Sequence, residues 1–259
     1  MALTVIALFT VPVYLLLSLT LSYLGLTVYI IFAAIMLKPT LAVRSMGQHT
    51  APILTAIREK NLEGARTLVS GIVGRRTENL NGEHVISATV ESIGEGTVDG
   101  VTAPIFYFAL LGVPGALAYR AINTLDSMVG YKEKRLANLG WFSAHLDTAA
   151  NYVPARITAI LMILAARLLT LDWRGGLTVL KHDRRATPSL NSGWPMSTMA
   201  GALGIWLEKP GCYILGARNS PPRPQHIPSA LGVMRVTTCL FVALVAVPLN
   251  LMVSLIVGG

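Results

Sequence analysis

Charge is scarce in this chain. Asp, Glu, Lys and Arg make up 13% of its 259 residues, against roughly 25% in soluble domains. With 53% hydrophobic residues and a mean hydropathy of +0.58, an ordinary water-soluble domain is excluded and an integral membrane protein is expected. There are two cysteines, Cys212 and Cys239. Neither lies in a C-x-x-C or similar spacing, so zinc and iron–sulfur centres have no support, and an unpatterned pair fits a reducing compartment. Aromatic residues are 7% of the chain and are not interleaved on a basic face. The excess of 21 basic over 13 acidic residues therefore implies no nucleic acid. It is assigned to loops that hold the protein against anionic lipid headgroups. No G-x-S-x-G, Walker A or G-x-G-x-x-G motif is present, so no motif argues for nucleotide use. No internal repeat is visible, which weighs against a transporter built from inverted repeats.

The apolar stretches are long. The first runs from Ala2 to Leu37 without a basic n-region or a small-residue cleavage site, so a cleaved signal peptide is not expected. It exceeds one span of about 20 residues. A membrane helix is expected over 2–23, and a second element from near Leu26 past Lys38-Pro39 into a polar helix. Residues 40–152 read as polar helices: 51–61, 62–73 and 83–98, with a turn at Asn81-Gly82. Between 101 and 118 an apolar run is interrupted by Pro104, Gly112, Pro114 and Gly115. A re-entrant or broken helix is favoured there over a straight span, because it returns the chain to its starting side. Residues 153–171 form a membrane helix, with Pro154 in its first turn. Residues 173–232 read as basic loops with a short helix at 196–207, and a last span covers 233–257. The whole is one all-α, multi-pass, membrane-embedded domain over 1–259. Its loops are basic throughout, so the distribution of Lys and Arg does not set an orientation.

The chemistry gathers between Glu91 and Lys132. Glu91, Glu95 and Asp99 recur every four residues. Each such step drifts about 40° on a helix, so the three share a stripe. Like charges so placed repel, and a divalent cation, a basic partner or protonation must compensate; oxygen ligands suit magnesium. A solvated acidic face is the plainer alternative. Gly94 and Gly96 inside the same segment weaken it, since each costs about 1 kcal/mol in a helix unless something approaches closely. Further on, Asn123 and Asp126 lie one turn apart on the face of Arg120, followed by Gly130, Tyr131 and Lys132. An Asp for metal, an Asn to orient and a Lys for phosphate would suit a phosphate site. An ordinary Gly-capped helix end would look the same. Asp147 and Asn151 repeat the four-residue spacing, and Arg156 opens the next membrane helix. Arg75-Arg76 is a phosphate clamp or a basic turn. Asn191 and Trp194 are substrate contacts or an interfacial anchor. His182-Asp183-Arg184 reads as surface loop.

At these residues the sequence resembles the adenosylcobinamide-phosphate synthase family of cobalamin biosynthesis (CobD/CbiB type). The resemblance rests on Gly74-Arg75-x-Thr77, on Glu91-Ser92-x-x-Glu95-x-Thr97-Val98-Asp99-Gly100, and on Ala103-Pro104. It continues through Pro114-x-x-x-Ala118-Tyr119-Arg120-Ala121-x-Asn123-Thr124-Leu125-Asp126-Ser127-Met128-Val129-Gly130-Tyr131-Lys132. Further matches are Ala144-x-x-Asp147-x-x-Ala150-Asn151-Tyr152-x-Pro154-Ala155-Arg156, Asn191-x-Gly193-Trp194 and Ala200-Gly201-Ala202-Leu203-Gly204. Together they cover about residues 40–215. Three departures stand out. The family's usual opening Asp…Gly-Asp-Pro…His-Pro-Val segment does not occur, Glu95-Gly96-Thr97 replaces the usual Glu-Asn-Thr, and Asp147-Thr148 replaces paired aspartates.

The resemblance implies a multi-pass ligase in the cell membrane, its motif face cytoplasmic. It would join a carboxylate of adenosylcobyric acid to aminopropanol or its phosphate with ATP and Mg2+, by carboxylate phosphorylation and then amine attack. Catalytic residues would be Glu91, Glu95, Asp99, Asp126 and Asp147. Of these, Glu95, Asp99 and Asp126 would hold the metal, and Asp147 or Glu91 would deprotonate the amine. Arg75 and Lys132 would meet phosphates. Asn123, Tyr131, Asn151, Arg156, Asn191 and Trp194 would complete the substrate site. The bilayer and other cobalamin-biosynthesis enzymes are the implied partners. A non-catalytic corrinoid-binding or assembly subunit is the alternative.

Overall fold

The computed structural model describes residues 2–129, 137–217 and 219–258. It is an all-α, multi-pass membrane protein. Among the described residues, four stretches are helical, long and apolar enough to cross a bilayer: Ala2–Arg58, Gly82–Met128, Gly140–Leu168 and His226–Ile256. The helices are α1 (Ala2–Leu19), α2 (Gly25–Leu37), α3 (Val43–Arg58), α4 (Leu62–Ser70), α5 (Gly82–Thr97), α6 (Ala103–Val129), α7 (Ala137–Leu168), α8 (Trp173–Asp183), α9 (Gly193–Leu203), α10 (His226–Phe241) and α11 (Val247–Gly258). The chain forms two compact units. One comprises Met1–Leu41, Asp99–Pro154 and Val242–Gly259, and the other Ala42–Val98 and Ala155–Phe241.

The first unit is the more apolar. Helices α1, α2 and α11 pack on α6 and leave Leu8, Phe9, Tyr23, Ile30, Leu255 and Ile256 exposed, a surface that only lipid or another apolar face would cover. Helix α6 breaks at Gly112, whose φ of 66° and ψ of −160° belong to a region that only glycine enters readily. The break folds the helix back on itself. The Tyr107 and Tyr119 rings stack with centroids 5.4 Å apart, whereas twelve residues of straight helix would separate them by about 18 Å. A Cβ on Gly115 would sit 2.5 Å from the Tyr107 carbonyl oxygen, so the two arms touch through backbone. The broken helix expected at 101–118 is therefore present as a tight helical hairpin. Its disruption strands backbone acceptors. One, the Ala109 carbonyl, accepts a long hydrogen bond from Asn250 Nδ2 at 3.4 Å. Irregular backbone is tolerated in a membrane protein where protein covers it.

The helix expected over 153–171, with Pro154 in its first turn, instead runs through that proline, from Ala137 to Leu168. A mid-helix proline leaves the carbonyl four residues earlier without its partner. Here that carbonyl belongs to Ala150, and the Tyr107 hydroxyl donates to it at 3.0 Å. A side chain from α6 thus replaces the missing backbone donor, which no reading of α7 alone could anticipate.

The second unit holds two apolar clusters. The larger is built from Ile86, Val90 and Ile93 of α5, Met162 and Ala165 of α7, Met196 and Met199 of α9, and Ile227, Val233 and Met234 of α10. The smaller joins α3, α4 and α5 through Ile53, Val69 and Val85. Asn61 caps α4 by accepting from Gly64 N at 2.9 Å, and Asn81 caps α5 by accepting from His84 N at 2.9 Å. The expected turn at Asn81-Gly82 is thus a helix start.

Two elements differ from the loops expected over 173–232. Residues Trp173–Asp183 form α8, capped by Asp172, which accepts from Gly175 N at 2.8 Å. Strands β1 (Leu207–Lys209) and β2 (Tyr213–Leu215) form an antiparallel hairpin, Leu207 opposite Leu215. Helix α8 packs on α9 through glycine. A Cβ at Gly201 would collide with the Gly175 backbone, so that spacing exists only because both positions lack one.

Candidate functional site

Two polar networks carry most of the residues singled out above, one in each unit.

In the second unit, Glu91 of α5 is the hub. Its Oε1 accepts from Ser87 Oγ at 3.1 Å and from Arg75 Nη2 at 3.2 Å. Its Oε2 accepts from Tyr213 Oη at 3.1 Å and lies 3.2 Å from the same Arg75 nitrogen. The Arg75 and Glu91 side chains are 11% and 9% exposed, so this ion pair is shielded from water. Arg75 Nη1 also donates to the Glu208 carbonyl at 3.1 Å, and Glu208 N donates to Ser87 Oγ at 2.8 Å. One carboxylate therefore ties the loop before α5, α5 itself and the β1–β2 hairpin together. Burial, and after it the Glu91 charge, pushes the Tyr213 phenol well above its usual range, which keeps its hydroxyl a donor. Glu208 also meets His84, Oε2 to Nε2 at 3.2 Å.

Glu95, one turn from Glu91, is exposed, and its charge reaches Tyr213. Asp99 lies in a π-helical turn, Val98–Thr102, that follows α5. The expected acidic stripe is thus divided between a buried hub, an exposed carboxylate and a π-turn. Gly94 allows α9 to pack close, a Cβ there lying 3.5 Å from Met196 Cα, and a Cβ on Gly96 would collide with the end of Met46.

The same unit holds a second small group. Arg156 Nη1 donates to Asn191 Oδ1 at 3.0 Å. The Arg156 and Arg184 guanidinium carbons lie 4.8 and 5.4 Å from the Trp194 ring centroid. The expected contacts Arg156, Asn191 and Trp194 are therefore brought together, with Arg184, assigned above to a surface loop, beside them.

In the first unit, Asp147 of α7 is held by two amides. Asn123 Nδ2 of α6 donates to Oδ1 at 3.2 Å, and Asn151 Nδ2 donates to Oδ2 at 3.0 Å. Behind Asn151 stands the buried Tyr119, whose hydroxyl donates to Asn151 Oδ1 at 2.8 Å. Since that oxygen accepts from tyrosine, the NH2 of Asn151 must face the carboxylate. Asp126 follows Asn123 by one turn and lies close enough to Asp147 for their charges to interact. Asp99 and Asp147 both act electrostatically on Tyr119. Tyr119, Asn151, Asp147 and Asn123 are thus joined by hydrogen bonds in one unit, which also holds Asp99 and Asp126.

Sequence reasoning missed Tyr119, Tyr107, Ser87 and Tyr213. Tyr119 had a signal: it precedes Asn123 by four residues and so shares its face. Tyr213 had none. Tyr131 and Lys132 lie outside the described residues. Among the described residues, no three His, Cys, Asp or Glu side chains converge enough to hold a metal alone. Carboxylate oxygens from Asp99 and Asp126 are nevertheless the donors Mg2+ takes when phosphate oxygens and water complete its shell.

A helical membrane protein with buried carboxylate–amide and carboxylate–guanidinium networks is the class that fold and sites define. The family described as CobD/Cbib protein matches residues 1–246, and the chain belongs to that family. It is 43% identical over 216 residues to a probable cobalamin biosynthesis protein CobD of Methanothermobacter thermautotrophicus, covering 83% of this chain and 71% of the relative. With a probable cobalamin biosynthesis protein CobD of Thermoplasma acidophilum it shares 36% identity over 248 residues, 96% of this chain and 80% of the relative. With a cobalamin biosynthesis protein CobD of Dehalococcoides mccartyi it shares 38% over 242 residues, 93% and 78% of the two chains. No solved structure matches it.

Proposed function

We propose that this chain acts in cobalamin biosynthesis as an ATP-dependent ligase. It forms the amide between a carboxylate of adenosylcobyric acid and aminopropanol or its phosphate. The observation that carries this reading is the family match over residues 1–246. It is supported by the gathering of Asn123, Asp126, Asp147 and Asn151 in one unit. Intramembrane carboxylates are costly and persist mostly where they act.

Asp99 and Asp126 are the residues that would hold Mg2+, which when bound neutralises phosphate charge; Glu95, expected as a third ligand, belongs to the other unit and is left out of this set. Asn123 and Asn151 orient the Asp147 carboxylate. Lys132 is assigned to phosphate. Arg75, engaged by Glu91 and the Glu208 carbonyl, would first have to leave them to meet one. The active face is assigned to the cytoplasm, where ATP is found.

The test is complementation. The chain is expressed in a bacterium lacking the synthase and fed cobyric acid, and cobinamide-containing products are sought by mass spectrometry. Product supports the ligase. Its absence from a membrane-inserted, well-expressed chain rejects it in favour of a corrinoid-binding or assembly role.

A further inference from the structure

Asp147 or Glu91 was expected to deprotonate the amine, and the surroundings of the two carboxylates differ in kind. Glu91 is already neutralised. Arg75 spans both of its oxygens, and the hydroxyls of Ser87 and Tyr213 take one oxygen each. A carboxylate offers about four acceptor sites, and three hydrogen bonds already use them, which leaves Glu91 paired with a cation and with little acceptor room for a substrate. Asp147 has one amide on each oxygen and, among the described residues, no cationic partner. Amides hold a carboxylate in place without cancelling its charge, and each oxygen keeps acceptor capacity. A half-buried carboxylate in an apolar helix, oriented by amides and without a cation among the described residues, is a site for one.

Resting on the ligase reading, we propose that Asp147, and not Glu91, meets the amine of the substrate in its ammonium form, and that Tyr119 is a positioning residue acting through Asn151. Tyr119 does not touch Asp147. Its hydroxyl takes the Asn151 Oδ1 and so aims the Asn151 NH2 at the carboxylate. Its ring is fixed by stacking on Tyr107, whose own hydroxyl is spent on the Ala150 carbonyl one residue before Asn151. The stacked pair sets both the height and the rotation of this turn of α7. Glu91 acts instead as the tie between α5 and the β1–β2 hairpin.

The experiment uses the full chain, purified in detergent. Its melting temperature is followed against 1-amino-2-propanol and its O-phosphate, and KM and kcat are measured for amine and ATP. The wild type is expected to gain melting temperature with amine. Asp147→Asn loses that gain, and Asp147→Glu recovers part of it. Tyr119→Phe, which keeps the ring and loses the hydroxyl, weakens amine affinity about threefold to tenfold, the worth of one hydrogen bond, while the ATP KM stays in place. The reverse pattern, with the amine response kept in Asp147→Asn and lost in Glu91→Gln, overturns the proposal. So does a Tyr119→Phe variant whose amine and ATP constants move together or not at all. Should Asp147→Asn not fold, the Tyr119→Phe split decides. The two readings fail separately. A wild type that forms no amide yet binds amine through Asp147 sinks the ligase alone. Amide formation with an amine KM indifferent to Asp147 and Tyr119 sinks this assignment alone.

Discussion

Tyr107 and Tyr119 lie on two arms of one interrupted helix, their rings nearly parallel at an interplanar angle of 11° and with centroids 5.4 Å apart. That stack depends on the chain reversing at Gly112. The first arm then brings the Tyr107 hydroxyl to Ala150 and the second brings that of Tyr119 to Asn151. The hairpin thus braces α7 beside the carboxylate of Asp147.

Replacing Gly112 by alanine should destabilise this hairpin. Its φ of 66° and ψ of −160° put a Cβ where backbone atoms crowd it, at a cost of about 1–3 kcal/mol. A lowered midpoint in detergent thermal unfolding is the expected result. An unchanged midpoint would show that the reversal needs no glycine.

Glu91→Ala should cost more, about 3 kcal/mol, because it leaves the Arg75 guanidinium buried without its counter-charge. Adding Arg75→Met should recover part of the loss, since both charges are then gone. Denaturant unfolding of the two single variants and the double variant checks this. A double variant as unstable as the sum of the singles would mean that Arg75 and Glu91 are not coupled.

Gly201→Ala should separate α8 from α9. The added Cβ collides with the Gly175 backbone, and overpacking of this kind costs about 1–3 kcal/mol. Proteolysis within residues 173–183 should speed up in the variant, with Ala202→Gly as the control for altered helix propensity.

Tyr213 predicts a pH dependence. Burial and the Glu91 charge raise its folded pKa far above the unfolded value near 10. Its contribution to stability is complete below about pH 10, where the phenol is protonated in both states, and declines as pH rises beyond that because only the unfolded chain releases the proton. Stability of the wild type should fall above that pH more steeply than that of Tyr213→Phe. Parallel curves for the two proteins would remove Tyr213 from the network.

Much of this architecture is legible in the sequence. The apolar runs mark the spans, because a bilayer demands about 20 apolar residues whatever their neighbours are. Pro104, Gly112, Pro114 and Gly115 mark the break. Glu91, Glu95 and Asp99 show how far spacing reaches. One periodicity covers all three, yet Glu91 is buried and Glu95 exposed. Their difference comes from Arg75, in the loop before α5, and from Tyr213, which approaches from a distant part of the chain. Helix α8 was hidden for a similar reason. Gly175 and Gly176 lower its helix propensity, while α9 packs against those same glycines.

The sequence by itself determined the membrane class, the order of the apolar runs, the interruption within 101–118 and the family, since each rests on composition, local backbone freedom or residue identity. Only the tertiary structure decided that α7 continues through Pro154, that Glu91 is tied off by Arg75, and that Tyr119 stands behind Asn151 and Asp147. Those outcomes depend on hydrogen-bond partners supplied by other elements. A polar group's role follows from which partner reaches it, and spacing along one element does not carry that information.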